Sequence, residues 1–465
     1  MTPSRSAIEK GPIRPPSPGE AESGEPHDRL RLPAREVPVR GNYDVVVFGG
    51  GPAGVAAVVA AARQGASACL IEGQSSLGGV WTTTFLLNAS DWRRKNALML
   101  EIEARVESLS GRPLRRDLSG IHPAVKESFY SSPEWIRIAL ESVVNDSGAD
   151  LRLYTHLSGV RMDAAGRRIE VALTESRGGC EAWRAKVFID TTGDGNLGAM
   201  AGCGFEIGRP ETQETQPMSV HALVTGLDEK AMRPYMHGLP PEPGRVRKRL
   251  SEELERAGFS ASYSYPCISQ IGPGLFFFSV NHSYGAKGID PAAQTRASVG
   301  GRAETAAAIA ALRSLGGIWE RIELAATSTM GGIREGRRIH GLYTVTRDDV
   351  IAGREHDDAI CRVTFPVDVH STDPKKGKSF SNEGVEARPY HIPLRAIIAR
   401  DVDNLAMAGR CISGDFVAHA SYRVVGNAVA MGHAAGVLAA AGAKGGRHLR
   451  DIPFADLRDA IGPII

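Results

Sequence analysis

Residues 44–57 read DVVVFGGGPAGVAA and residues 67–72 read SACLIE. The apolar, β-branched run at 45–48 suits a central parallel strand buried on both faces. Pro52 stands where a helix begins, Ala and Val continue it to Gln64, and Gly65 follows at the position that stops it. A second strand at 66–71 ends in Glu72. Strand, glycine loop, helix, strand and acid form a dinucleotide-binding βαβ unit. In it Gly49 permits the tight turn, Gly51 lets the backbone approach a pyrophosphate, and Gly54 lets helix and strand pack closely. The helix N-terminus offers unpaired N–H groups to the phosphates. Glu72 lies 18 residues past Gly54, at the spacing of the acid that bonds a ribose hydroxyl. A carboxylate there repels a 2′-phosphate and so disfavours NADP; FAD and NAD both satisfy the motif.

Three later segments supply further pieces. In LGGVWT (77–82), Gly78 and Gly79 let backbone pass close to a ligand. In AKVFIDTTGDG (185–195), an apolar strand runs into a glycine-rich turn carrying Thr192, Gly193 and Asp194, again at a strand's carboxyl end. In residues 404–441, a buried strand at 404–408 leads to Gly409, a polar and glycine-rich crossing, and a small-residue helix from about Gly426. That helix would point its N-terminus at a flavin ring edge, where negative charge gathers on reduction.

The remaining chain frames this site. Its 465 residues exceed one ordinary core, and 42% hydrophobic with 23% charged residues indicates a globular protein. A net charge of +2 makes no case for a nucleic-acid partner. With no apolar run of 18 residues, no membrane span is expected. The six cysteines contain no C-x-x-C pair and read as reduced thiols of a cytoplasmic protein. No His/Cys/Asp/Glu cluster has metal-ligand spacing, so no metal is expected. Residues 1–34 are rich in Pro, Glu, Ser and Arg and read as a disordered tail. Residues 35–209 and 361–445 form a discontinuous nucleotide-binding domain, and 210–360, which lack Rossmann punctuation, a substrate domain. Helices are expected at 96–109 and from Ser132 onward, and a hairpin turn at 163–168. The fold class is α/β: a Rossmann-like parallel sheet with helices, plus an inserted α+β domain.

Taken together, the segments resemble the FAD-dependent oxidoreductases of the glutathione-reductase-type superfamily, and most of all the bacterial FAD-dependent oxidoreductase family. The likeness runs from about residue 35 to 443 and also covers REVPV (35–39), GGIREGRR (331–338) and YHIPLR (390–395). It implies FAD, with Gly49, Gly51 and Gly54 on the pyrophosphate, Glu72 on the adenosine ribose, and Gly78 and Gly79 along the cofactor path. Thr192, Gly193 and Asp194 match the family's A-T-G-D turn, with Thr191 in place of Ala. Gly409 and Arg410 stand where many members carry Gly-Asp against the ribityl chain; the Asp is absent, and Asp415 is a candidate substitute. A wider likeness is to the fumarate reductase and succinate dehydrogenase flavoproteins, whose His…Arg…Gly…Asn spacing recurs as His419, Arg423, Gly426 and Asn427. It implies that His419 and Arg423 hold a substrate carboxylate or carbonyl, and that Gly426 and Asn427 lie beside the flavin. Tyr422 replaces the Asn of that pattern, so the substrate need not be a dicarboxylate.

Without a redox cysteine pair, disulfide reduction is not expected. No second glycine fingerprint follows a strand, since Gly331-Gly332 lacks one, so the flavin is cycled by substrate, O₂ or a transient electron donor or acceptor. The leading expectation is hydride transfer between a small organic substrate and FAD N5. The alternatives are an FAD monooxygenase acting on a small aromatic substrate and a non-redox flavin- or nucleotide-binding protein. His282, His340 and His356 read as ordinary surface or core histidines, Arg337-Arg338 as a family motif or a solvated helix face, and His122 as a conceivable covalent flavin link.

Overall fold

The computed structural model describes residues 36–464 apart from position 94 and the segments 118–127, 237–242 and 374–379. The tail at 1–34 and His122 lie outside the described residues, as does most of the first half of DPKKGKSFSNEG (373–384), whose composition reads as a polar loop.

The larger core is built on a seven-stranded sheet. Asp150–Arg152, Ala68–Ile71, Val39–Phe48 and Gly179–Asp190 lie side by side and parallel, and Leu405–Met407 pairs the last of these. Gly179–Asp190 is long because, besides Val39–Phe48, it serves two further neighbours. Its first residues pair antiparallel with Ile169–Ser176, and its last three, from Phe188, pair with Leu405–Met407. Residues 45–48 are fully buried, as their uninterrupted apolar character requires of a strand covered on both faces. The second strand begins at Ala68, not at 66. The Ala66 N–H closes the preceding helix on the Ala61 carbonyl, and Ser67 exchanges hydrogen bonds with Asp44.

Two helices cover the carboxyl half of this sheet. Pro52–Arg63 starts with Pro52 in its first turn, and Gly65 follows its end at φ +74°. Val425–Gly445 runs past the expected Ala441 and stops at Gly446 in left-handed conformation. The two pack with backbone almost in contact: a Cβ on Gly432 would lie 2.1 Å from the Ala53 carbonyl, and one on Gly436 2.2 Å from that of Ala57. The small-residue face therefore sets the helix separation. Val425–Gly445 is, among the described residues, the one helix long and apolar enough to cross a membrane, and it is buried in this core.

The other predicted helices form at Ala97–Ser110, capped by Asn96, and at Pro133–Asp146, capped by Ser132. The turn at 163–168 joins His156–Met162 to Ile169–Ser176. A second core lies under a four-stranded antiparallel sheet in the order Cys267–Gly272, Leu275–Ser279, Ala222–Thr225, Glu323–Thr327. Phe276, Phe278, Ile309, Leu312 and Trp319 fill it, with the helix Pro291–Ser314 across one side. By Ile339 and Val345 the chain is back in the first core. A strand does precede Gly331-Gly332, namely Glu323–Thr327, but it is antiparallel and no helix follows the glycines; Ser219 and Gly332 exchange backbone hydrogen bonds instead.

Candidate active site

The parallel strands end level with one another. Phe48 is in register with Ile71 on one side and Asp190 on the other, and Asp190 with Met407. The glycine loop, Glu72, the turn after Asp190 and the segment after Met407 thus emerge side by side at the carboxyl edge, where open α/β sheets bind ligands.

At this edge Gly49 adopts φ +103°, and a Cβ there would meet the Thr191 backbone at 2.5 Å. A Cβ on Gly54 would collide with the Gly49 carbonyl at 1.8 Å. Gly51 differs: nothing lies within 4 Å of its Cβ position, and it begins the helix without a side-chain cap. Open space before uncapped N–H groups is the cradle a pyrophosphate needs. Glu72 accepts the Gly50 N–H on one carboxylate oxygen and the Gln74 N–H, at 2.7 Å, on the other. Each oxygen keeps a lone pair for a ribose hydroxyl. The Gly78 N–H donates to the Gly50 carbonyl at 2.8 Å, and Gly79 abuts Gly51, so the LGG loop lies directly on the first. These residues fit an FAD.

Asp190, which opens the DTTGDG segment and is given no role by the sequence, organises the next turn. Its buried carboxylate accepts the Thr192 N–H and hydroxyl at 3.0 and 2.8 Å and the Gly198 N–H at 2.9 Å. Burial raises its pKa against these bonds. Thr191, the departure from Ala, donates to the Phe48 and Gly49 carbonyls at 2.8 and 2.7 Å and ties the two ligand-facing turns together. Asp194 pairs with Arg410 at 3.2 Å, and Arg410 also donates to the Ile333 and Gly193 carbonyls. Gly409, at φ +87°, starts the short turn that carries Arg410. Asp415 is committed elsewhere: it caps the helix Phe416–Tyr422 through the Ala418 N–H and accepts the Arg347 N–H. That helix breaks the irregular crossing expected after Gly409.

The structure separates the residues of the 419–427 run. Arg423, just after the helix Phe416–Tyr422, reaches Asp368 and Gln216: its guanidinium donates to the Asp368 carbonyl at 2.8 Å and the Gln216 side chain at 3.2 Å. His419, one turn earlier, is fully buried, edge-on to Tyr422, with neither ring nitrogen partnered. Burial first, then the charges of Arg338, Arg423 and Arg410, hold it neutral. Gly426 brings the C-terminal helix against the chain at 90–92, where a Cβ would lie 2.0 Å from the Asp91 carbonyl. Asn427 is buried, with the Cys361 thiol on its oxygen and no partner for its amide nitrogen. Arg338 is not on a solvated helix face. It sits in a short strand, 2% exposed, and pairs with buried Glu335.

A cavity of about 950 Å³ opens between the two cores. Val80 of the LGG loop, Arg410 and Val424–Val425 at the start of the C-terminal helix line it from the nucleotide side. His221, Cys267 and Phe277 line it from the antiparallel sheet. Its polar end holds Arg334, Asp368, His370 and Arg423; Leu86, Leu87 and Phe277 belong to its apolar wall. Burial, then the charge of Arg334, holds His221 and His370 to a pKa of about 4. Neutral His221 donates Nδ1–H to the Thr84 carbonyl at 2.9 Å.

The family model for FAD dependent oxidoreductases matches residues 44–461. The chain belongs to this family. It is an FAD-dependent oxidoreductase, with the Rossmann-like α/β fold its glycine loop requires. No curated protein matches the chain significantly. Among solved structures, the flavin-dependent brominase Bmp2 is similar at 16% identity over 90% of this chain and 83% of that one, with a TM-score of 0.50. A geranylgeranyl bacteriochlorophyll reductase-like protein from Thermoplasma acidophilum is similar at 11% identity over 87% and 79%, with a TM-score of 0.44. At 16% identity the likeness to the brominase is one of fold alone.

Proposed function

We propose that this oxidoreductase moves a hydride between a small organic substrate, held in the 950 Å³ cavity, and FAD. The observation that carries the reading is that one cavity touches the LGG loop, Arg410 and the N-terminal end of Val425–Gly445 on one side and the antiparallel sheet on the other. FAD supplies the hydride acceptor or donor when bound. Gly51 and the uncapped helix end hold its phosphates, and Glu72 its ribose. Arg423 orients a polar oxygen of the substrate, since a guanidinium fork suits a carbonyl or carboxylate. Neutral His419, buried one helical turn before Arg423, stays outside the cavity lining. Leu86, Leu87 and Phe277 exclude water from the reacting face. Turnover closes through a second substrate, O₂ or a transient electron donor or acceptor.

A monooxygenase acting on a small aromatic compound is the second reading. The apolar wall around Phe277, whose ring meets that of His221 edge-on at 5.0 Å, favours it by offering a ring against which an aromatic substrate can pack. Anaerobic mixing with substrate panels separates the two: the first reading expects flavin reduction or reoxidation by the organic substrate itself, the second expects NAD(P)H oxidation stimulated by an aromatic compound.

A further inference from the structure

The polar end of the cavity collects more positive charge than it answers. Arg423 pairs with Asp368 at 3.6 Å, and the same carboxylate lies 3.4 Å from His370. Arg334 makes no ion pair among the described residues. Its guanidinium donates to the Pro217 carbonyl, to the Ser219 hydroxyl at 3.1 Å and toward the His282 ring at 3.3 Å, all neutral groups. Burial, then repulsion from Arg423, lowers its pKa to about 10, so it remains charged at neutral pH. His370 and His221 are neutral there and add nothing. Glu335, the other carboxylate acting on Arg423, is matched by Arg338, so Arg334, Arg423 and Arg338 against Asp368 and Glu335 leave one positive charge uncompensated in a desolvated recess. Buried polar atoms around it also lack partners: Arg423 Nε, His370 Nδ1 and the Gln216 amide nitrogen. An unanswered buried charge costs several kcal/mol, and such sites are completed by an ion of opposite sign.

We infer that the substrate is an organic monoanion whose carboxylate sits between Arg334 and Arg423, with its apolar body along Phe277 and Leu86. Arg334 is then the residue that selects acids over their neutral analogues, while Arg423, tethered by Asp368, is the fixed arm. The fork geometry of two guanidiniums matches a planar carboxylate better than a single ammonium would. The inference rests on the reading that this cavity receives the substrate.

The test is calorimetric titration of the FAD-loaded protein with benzoate and with benzamide, which share shape and differ in charge. Benzoate is expected to bind at least about tenfold more tightly than benzamide. Arg334→Met should remove that preference, weakening benzoate far more than benzamide, with FAD content unchanged. Arg334→Lys, which keeps the charge and loses the fork, should retain part of it. Equal binding of the two probes by the parent, or an unchanged benzoate preference in Arg334→Met, overturns the inference; the parent comparison decides even where that variant fails to fold. If benzoate binding depends on Arg334 but no organic substrate exchanges a hydride with the flavin, the anion site stands and the hydride reading falls.

Discussion

Arg410 donates to the Asp194 carboxylate at 3.2 Å, and the same guanidinium holds the Ile333 and Gly193 carbonyls. One side chain thereby locks the turn after Asp190 to the segment that carries Arg334. Asp194 is pushed up by burial and pulled down by Arg410 and Arg337, so losing Arg410 strands a desolvated carboxylate. Arg410→Met should destabilise the fold by about 1–3 kcal/mol, and adding Asp194→Asn should recover part of that loss. Denaturant midpoints of the two single variants and the double variant measure the coupling; strict additivity would show that the pair carries no shared energy.

Gly51 and Gly432 should respond in opposite ways. A side chain at Gly51 meets open space, so Gly51→Val should fold with parental stability yet lose FAD, because it fills the pyrophosphate's approach. Gly432→Ala puts a methyl 2.1 Å from the Ala53 carbonyl and must push the two helices apart. It should cost about 1–3 kcal/mol. Thermal melts and the flavin content of each purified variant check this. Full FAD occupancy in Gly51→Val would remove its assigned role.

These two glycines also show what the sequence makes legible. A glycine loop, its strand, its helix and its acid lie within thirty residues, so local rules locate them. Asp190 sits inside a turn that was recognised, but its work is internal bonding, which no spacing reveals. The polar end of the cavity draws Arg334, Asp368 and Arg423 from segments joined only by the fold. Of these, Arg423 is legible through the fumarate reductase likeness and Arg334 lies inside GGIREGRR without a role of its own; Asp368 and His370 carry no motif at all. His419 and Arg423 share a motif yet part company: Arg423 stands just past the end of the helix Phe416–Tyr422 and its longer side chain reaches the cavity, while the shorter imidazole one turn earlier stays buried in the core.

Arg423→Ala should keep FAD and lower kcat/KM about 10²-fold or more, the usual order for one lost electrostatic contact. His419→Ala should lower it less, since the ring is not among the cavity-lining groups. Steady-state kinetics on folded, yellow variants give the comparison. Flavin reduction as fast in Arg423→Ala as in the parent would place the substrate elsewhere.

Acid should weaken the fold through buried imidazoles. His221 and His370 titrate near 4 when folded and near 6.5 when unfolded, so between these values the unfolded chain binds more protons. Their stability contribution is complete above about pH 6.5 and is lost as pH falls toward 4. The melting temperature should drop over that window, and His221→Phe should flatten the drop. A melting temperature unchanged from pH 7 to pH 5 would contradict the neutral, desolvated state of both rings.

The central claim is that organic substrate meets FAD in the cavity between the two cores. Anaerobic stopped-flow mixing of the FAD-loaded protein with a panel of small organic acids, with NADH and with NADPH, followed at the flavin band near ~450 nm, tests it most directly. The account predicts that an organic acid alone bleaches the band, or restores it after chemical reduction, and that Arg423→Ala slows this step. Bleaching by NAD(P)H that is accelerated by an aromatic compound, with no response to any organic substrate alone, would contradict it.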